Sequence, residues 1–437
     1  MFSYYIKLAV LSIRRNPILS LLMMSAIAVG IGAFMTMLTV YHIQSGNPIR
    51  WKDDVLFHPQ LDTWSPDEPY DDARPELPPI QLTWTDAMAL QASEIPTYKT
   101  PSFKIVGIFR PDNPDVPPFS GDGRMATNDF FAMFDIPFRF GAAWDDRADR
   151  NDEYVIVLSK ALNDQIFGGV DSTGSQVELS GRQYTVAGVL DHWEPRPKYY
   201  DLNNSPFEGS DQYYLPIRLA PVIEPDRRGN TNCWKPEDTR TFQEFIQSEC
   251  IWLQYWVQLD TREQREAYRD FLGAYLAEQA DIGRSARPQG FRLNRVSEWL
   301  EINEVVGDDN RVLVGLSFLF LIVCLLNTVG LLLAKFLGRA GEVSVRRALG
   351  ASRLDIFRQQ LIECGFIGLI GGMAGIGLTL VGLVAVKSMY RYQGSESMDM
   401  QMVATAFLTA VVASMIAGLW PSWQICRVPP ASYLKTQ

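Results

Sequence analysis

Four long stretches of this chain carry no ionised side chain, and a stretch of that kind has few ways to fold. They are Pro17–Val40, Val312–Ala334, Cys364–Val386 and Val403–Ile425. Each exceeds the about 20 residues that a helix rising ~1.5 Å per residue needs to cross ~30 Å of hydrocarbon. The charges between them are sorted by sign. Ser45–Asn310 holds 26 of the 40 Lys and Arg but 45 of the 50 Asp and Glu, leaving 14 basic and 5 acidic residues elsewhere. Basic residues collect at membrane ends that stay in the cytoplasm. Lys7, Arg14 and Arg15 precede the first stretch, Lys335 to Arg358 carry six cations between the second and third, and Arg427 and Lys435 follow the fourth. Both termini and the Lys335–Glu363 loop are therefore expected inside, and the acidic segment outside. A mean hydropathy of -0.05 averages these two unlike parts.

The external segment exceeds the ~100–200 residues usual for one domain, so two lobes are expected. Gly46–Pro79 and Asp112–Gly123 read as irregular. Leu82–Glu94 reads as a helix and Ser102–Phe109 as a strand. Strand Tyr154–Leu158, helix Lys160–Phe167, strands Ser175–Leu179 and Arg182–Leu190, strand Ile251–Leu259 and a helix through about Gln279 follow. Trp193–Asn232 reads as a long polar excursion with its own packing, and Glu298–Val306 as a helical stalk entering the second span. The fold class expected is an α-helical membrane protein with four transmembrane helices and a large α+β external domain, an α/β lobe with a β-rich lobe inserted. The first stretch is too long for the ~7–15-residue apolar region of a cleaved signal peptide and is read as an anchor.

Few residues outside suggest chemistry. Cys324, Cys364 and Cys426 belong to the spans or their ends, where they pack as small apolar groups. Cys233 and Cys250 are the external pair: a disulfide, worth ~3 kcal/mol in the chain-entropy view, or two separate thiols. His42, His58 and His192 lie far apart and do not form the converging set a metal needs. Asp53-Asp54 and Asp145-Asp146 could be imagined as acid pairs, but with 45 external carboxylates such neighbours arise by chance. No phosphate-cradling G-x-x-x-x-G-K-[ST] segment and no G-x-S-x-G elbow occurs. The third span is dense in glycine; Gly368/Gly372 and Gly371/Gly375 let helix backbones approach, either within this chain or across a dimer seam, for which the second span with Asn327 and Thr328 is an equal candidate.

The basic loop is the most informative segment. In Arg339 to Phe357, Val343, Val345 and Leu349 make a partial apolar stripe and arginines fill the remainder. Gly350 ends a short helix, and Ser352 with Asp355 caps the next. A connector packed on lipid headgroups would also read this way.

This loop resembles the signature loop of the MacB/FtsX-type permeases of ABC transporters, R-R-x-E-I-G-x-x-R-A-L-G-A-S-x-x-D-I. Glu342, Arg346, Arg347, Ala348, Leu349, Gly350, Ala351, Ser352, Asp355 and Ile356 fall on that pattern; Gly341 and Ser344 depart from it. Outside, Val155–Leu162, Ile166–Gly169, Gly174-Ser175 and Tyr184–Val189 resemble the family's periplasmic core in the same order. The resemblance implies a bacterial inner-membrane protein, multi-pass, of this plan: 1–16 amphipathic helix, 17–43 first span, 44–310 periplasmic core, 311–337 second span, 338–360 coupling loop, 361–386 third span, 387–400 short periplasmic loop, 401–425 fourth span and 426–437 cytoplasmic tail. It implies that Glu342, Val343, Val345, Arg346, Arg347, Leu349, Gly350, Ala351 and Asp355 meet a cytoplasmic ATPase dimer, which binds ATP and Mg. No cofactor is expected in this chain, and the ATPase is expected from a separate polypeptide. A second permease chain and the lipid membrane are further implied partners, a periplasmic adaptor is a candidate one, and no nucleic acid is expected. The implied function is non-catalytic mechanotransmission for efflux or extraction; an FtsX-like scaffold regulating an extracytoplasmic enzyme is the alternative.

Overall fold

The four uncharged runs become four long helices in the structure, a computed structural model describing residues 8, 11–111, 116–284, 290–305, 308–389 and 400–427. Helices Pro17–Ser45, Asp308–Leu337, Arg353–Met389 and Met400–Arg427 are each long and apolar enough to cross a membrane. In hydrocarbon every backbone N–H and C=O must find a partner within the chain, which a helix provides. The chain divides into two units, residues 46–305 and the helices that flank them.

Within the helical unit, the first helix packs against the second and third, and the third against the fourth. Met23, Ile27, Ile31 and Met35 of the first helix are buried with Leu321, Leu332 and Ile367. Asn310 Nδ2 donates to Gln44 Oε1 at 2.9 Å, tying the first two helices at one end. The third helix starts at Arg353, so residues 353–360 belong to it. Most of the 1–16 helix, residues 390–399 of the 387–400 loop and residues 428–437 of the tail lie outside the described residues.

The other unit is built on ten strands: β1 (Leu56–Leu61), β2 (Tyr98–Arg110), β3 (Phe119–Ala126), β4 (Phe138–Gly141), β5 (Val155–Leu158), β6 (Gln176–Leu179), β7 (Arg182–Leu190), β8 (Tyr213–Pro216), β9 (Gln254–Gln258) and β10 (Phe291–Arg295). Their order is β10-β1-β9-β2-β3-β8-β5-β7-β4. β6 pairs with both β7 and β2, so β2-β3-β8-β5-β7-β6 close into a ring. β2 is long enough to serve both parts: Tyr98–Ser102 pair with β9, Phe103–Phe109 with β3. Helix Arg262–Asp281 lays Tyr268, Leu272, Tyr275 and Leu276 into the core, and Thr261 with Gln264 forms its capping box.

Four expectations need correction. Gly46–Pro79 contains β1, a strand buried at every residue, so it shows no alternation to detect. Asp112–Gly123 runs into β3, whose Gly121 and Gly123 permit close approach: a Cβ on Gly121 would stand 2.8 Å from the Phe109 ring, and one on Gly123 would enter the Tyr213 ring. Trp193–Asn232 is no excursion, because β8 lies between β3 and β5 with all four residues buried. The stalk is not continuous: helix Val296–Ile302 stops at Asn303, and Glu304 takes φ +47.

A charged core fastens the segment that contains β8. Arg124 donates to Asp211 at 2.7 Å and to Ser102 at 3.2 Å, and it also pairs with Asp201; Lys198 stands 3.4 Å from Asp211. Burial alone would raise the Asp211 carboxyl, but Arg124 and Lys198 together hold it well below the usual carboxylate range.

Candidate functional site

The basic loop folds as helix Ala340–Ala348, a turn, and the start of the third long helix. Gly350 makes the turn at φ +101 with open space around it, and its N–H and that of Ala351 return to the carbonyls of Arg347 and Arg346. Only glycine adopts that backbone freely. Ser352 Oγ donates to Asp355 Oδ2 at 2.5 Å and accepts from the Asp355 N–H at 3.1 Å.

The apolar stripe of this helix is divided. Val343 is buried with Ala340, whereas Val345 is 46% and Leu349 84% exposed. Positions two apart face different sides of a helix, so Val343 and Val345 cannot share one. The arginines are engaged within the chain. Arg346 donates to Glu342 at 2.8 Å and to Gln359 at 3.1 Å, and Arg15 stands 3.4 Å from Glu342. Arg347 reaches the Cys426 carbonyl at 3.4 Å. On helix Ala340–Ala348 and its turn, the exposed large apolar side chains are Val345 and Leu349, and beyond the turn Arg353 and Arg358 are exposed as well.

Beneath the helix lies a charge cluster that reading the sequence missed. Lys335 Nζ pairs with Glu363 Oε1 at 2.7 Å, their side chains 0% and 2% exposed, and donates to Ser20 Oγ at 3.0 Å. Arg339 donates to Ser12 Oγ at 2.6 Å and lies 3.7 Å from Glu363; Ser12 also meets Glu363. Arg339 is the residue from which helix Ala340–Ala348 starts, so the cluster ties that start to the first, second and third helices. Removing one partner of such a buried pair costs about 3–5 kcal/mol, because the other charge is stranded. A signal existed: Lys335 directly follows the second apolar stretch and Glu363 directly precedes the third, opposite charges at one depth.

Other candidates resolve into structural roles. Gly371 and Gly375 would bring a Cβ within 3.0 Å of Ile27 and Ile31, and Gly372 within 2.6 Å of Ala410; Gly368 abuts Ser414. One glycine pair therefore receives the first helix and the other the fourth. Cys233 and Cys250 are joined in a disulfide. Asp53 accepts from the N–H and hydroxyl of Ser297 at 2.8 and 2.7 Å, Asp54 pairs with Arg295 at 2.8 Å, Asp145 caps a short helix, and Asp146 accepts from Asn128 at 2.6 Å. Among the described residues no three His, Cys, Asp or Glu side chains gather as a metal would require.

Two family profiles cover almost all of these elements. The MacB-like periplasmic core domain matches residues 20–274, more than half of the chain, and the FtsX-like permease C-terminal domain matches 314–430, which includes the loop, Lys335 and Glu363. The chain belongs to the MacB/FtsX-type ABC-transporter permeases. It is a multi-pass membrane protein of that family with a periplasmic-type domain. Macrolide export ATP-binding/permease protein MacB 2 of Aeromonas hydrophila subsp. hydrophila is 23% identical over 317 residues, 70% of this chain and 42% of that protein. The ABC transporter permease YvrN of Bacillus subtilis (strain 168) is 23% identical over 318 residues, 70% of this chain and 68% of that protein. The periplasmic region of MacB from Actinobacillus actinomycetemcomitans resembles 59% of this chain and 95% of that one, at 15% identity and a TM-score of 0.37. The chain spans less than half of the Aeromonas relative's length.

Proposed function

We propose that this permease is the transmembrane subunit of a mechanotransmission-type ABC transporter, driven by a separate cytoplasmic ATPase dimer that binds ATP and Mg. The observation that carries the reading is the loop from Glu342 to Ala351. It presents Leu349 and Val345 outward while its start is clamped by Lys335, Glu363 and Arg339. Burying an exposed leucine such as Leu349 in a partner's pocket is favourable by about 1.5–3 kcal/mol, enough to contribute to docking. A push there reaches three long helices through the buried cluster, which resists deformation because separating its charges is costly. The spans carry no ionised residue between their ends, which fits cargo handled outside the inner membrane instead of relayed through the bundle. The Aeromonas relative's name joins ATP-binding and permease functions and specifies macrolide export; export or extraction is the class of work we infer here. The two-lobe external domain would be the moving part, with both termini in the cytoplasm.

A second permease chain seats on the outward face of helix Asp308–Leu337. Leu316, Phe320 and Val323 are exposed there and continue into Asn327. An asparagine facing hydrocarbon is unfavourable, and a facing helix relieves it.

The docking reading is tested by co-purifying the full chain with its ATPase and replacing Leu349 and Val345 by Glu, and separately Arg346 and Arg347 by Glu. The apolar replacements are expected to abolish co-purification and the stimulation of ATP hydrolysis. The arginine replacements are expected to weaken both less, because those side chains are already engaged. Unchanged stimulation in all variants overturns the assignment. Recovery of a cell-wall hydrolase instead of cargo or an adaptor would favour the regulatory alternative.

A further inference from the structure

A cavity of about 530 Å³ opens on the unit of residues 46–305, with Phe103, Phe242 and Trp252 as its apolar lining and Arg227, Arg228 and Arg240 as its arginines. This unit is acidic overall, so a cavity with three arginines and Lys104 against two carboxylates, Glu224 and Asp226, reverses the local charge. Three of the cations are already matched. Lys104 pairs with Glu208, Arg228 with Asp122 at 2.5 Å and Arg240 with Asp238 at 2.6 Å.

Arg227 is different. No carboxylate pairs with it among the described residues; its guanidinium lies 3.2 Å above the centre of the Phe245 ring and 5.6 Å from that of Trp252. Burial lowers its pKa, yet a guanidinium stays protonated. Its backbone is fixed: Val106 N–H donates to Asp226 and Arg228 N–H to Lys104, both at 3.0 Å, so residues 226–228 run along β2. Trp252 is 4% exposed and lends the cavity an apolar wall. The Cys233–Cys250 disulfide closes the segment that supplies the opposite wall at Thr239, Thr241 and Phe242. An exposed cation without a carboxylate, set on aromatic rings at a cavity wall, fits an acceptor that carries charge and an apolar body.

We propose that this cavity binds an oxyanion, carboxylate or phosphate, borne on an aromatic or apolar body, with Arg227 as its charged anchor. The site lies in a different unit from the loop and does not depend on how the ATPase docks.

The full chain in lipid nanodiscs is titrated calorimetrically, at fixed chloride, with phenyl phosphate, benzoate and uncharged benzyl alcohol. One of the two anions is expected to saturate at one per chain, and benzyl alcohol is expected not to. Phenyl phosphate alone identifies a phosphate site, and benzoate alone a carboxylate site. Arg227→Gln is expected to weaken the anion about tenfold or more, the span of a charge-assisted hydrogen bond, and Arg227→Lys to weaken it less. Arg240→Gln, paired at the rim, is expected to bind within about twofold of wild type. Melting and the intact disulfide check each variant's fold. If Arg227→Gln fails to fold, the wild-type preference for an anion over benzyl alcohol decides alone. Absence of saturable anion binding, equal binding of benzyl alcohol, or undiminished binding in folded Arg227→Gln overturns the proposal.

Discussion

His58 stacks on Trp299 at 3.8 Å between ring centres and meets Trp256 edge-on at 5.2 Å. Among the described residues neither ring nitrogen makes a hydrogen bond of standard geometry, and burial pulls the pKa down to about 3, offset in part by the Gln254 amide. The unfolded chain takes up a proton near pH 6.5, whereas the folded one resists until about 3. Protons therefore favour unfolding across that window, and stability present above pH 6.5 falls by up to about 1.4 kcal/mol per pH unit below it. Asp149, its carboxyl pushed up to about 6 by burial, acts with the opposite sign below pH 6. Because Asp149 is common to both proteins, the difference between wild type and His58→Phe isolates the histidine. Denaturant unfolding of the full chain at pH 7, 5 and 4 should show His58→Phe gaining stability relative to wild type as the pH falls; parallel profiles would refute the assignment. At this scale the sequence singled out loop residues by a pattern, Glu342, Arg346 and Gly350 among them. It did not say that Arg346 is satisfied by Glu342 and Gln359, or that Leu349 faces out. Such facts depend on partners 4 to 13 residues away or more.

Among elements, those whose pattern is local were legible. Helix Lys160–Phe167 is capped by Ser159 and ended by Gly168 in the left-handed region, and β6 and β7 turn through Gly181 at φ +78. β1 and β8 were not legible, because strands buried on both faces show no alternation and are recognised only by their neighbours. The third long helix offers a contrast between two of its glycines. A Cβ on Gly372 meets Ala410 at 2.6 Å, whereas nothing lies within 4 Å of one on Gly377. Gly372→Ala should cost about 1–3 kcal/mol through overpacking, and Gly377→Ala should be neutral or stabilise by up to about 1 kcal/mol through helix propensity. Thermal melting in detergent compares them, and equal shifts would mean that the close approach of the third and fourth helices is wrong.

For the whole molecule, the second permease chain proposed on helix Asp308–Leu337 gives a prediction at the level of assembly. Asn327→Leu removes the polar contact and should lower the dimer fraction several-fold, in line with ~0.6–2 kcal/mol per interhelical hydrogen bond. Cross-linking or mass photometry in nanodiscs reads this directly, and an unchanged dimer fraction would move the seam elsewhere. The sequence by itself determined how many times the chain can cross a membrane, which segment is acidic, and where the basic loop lies. Those properties follow from the length and charge of contiguous runs, and transfer energies add along a run whatever its neighbours. Only the tertiary structure decided that β2 serves both halves of a sheet, that Lys335 and Glu363 neutralise one another inside the bundle, and that Arg227 lies over the Phe245 ring. Each of these is a pairing between groups distant in the chain, and the cost of an unpaired strand edge or buried charge is set by what folding brings beside it.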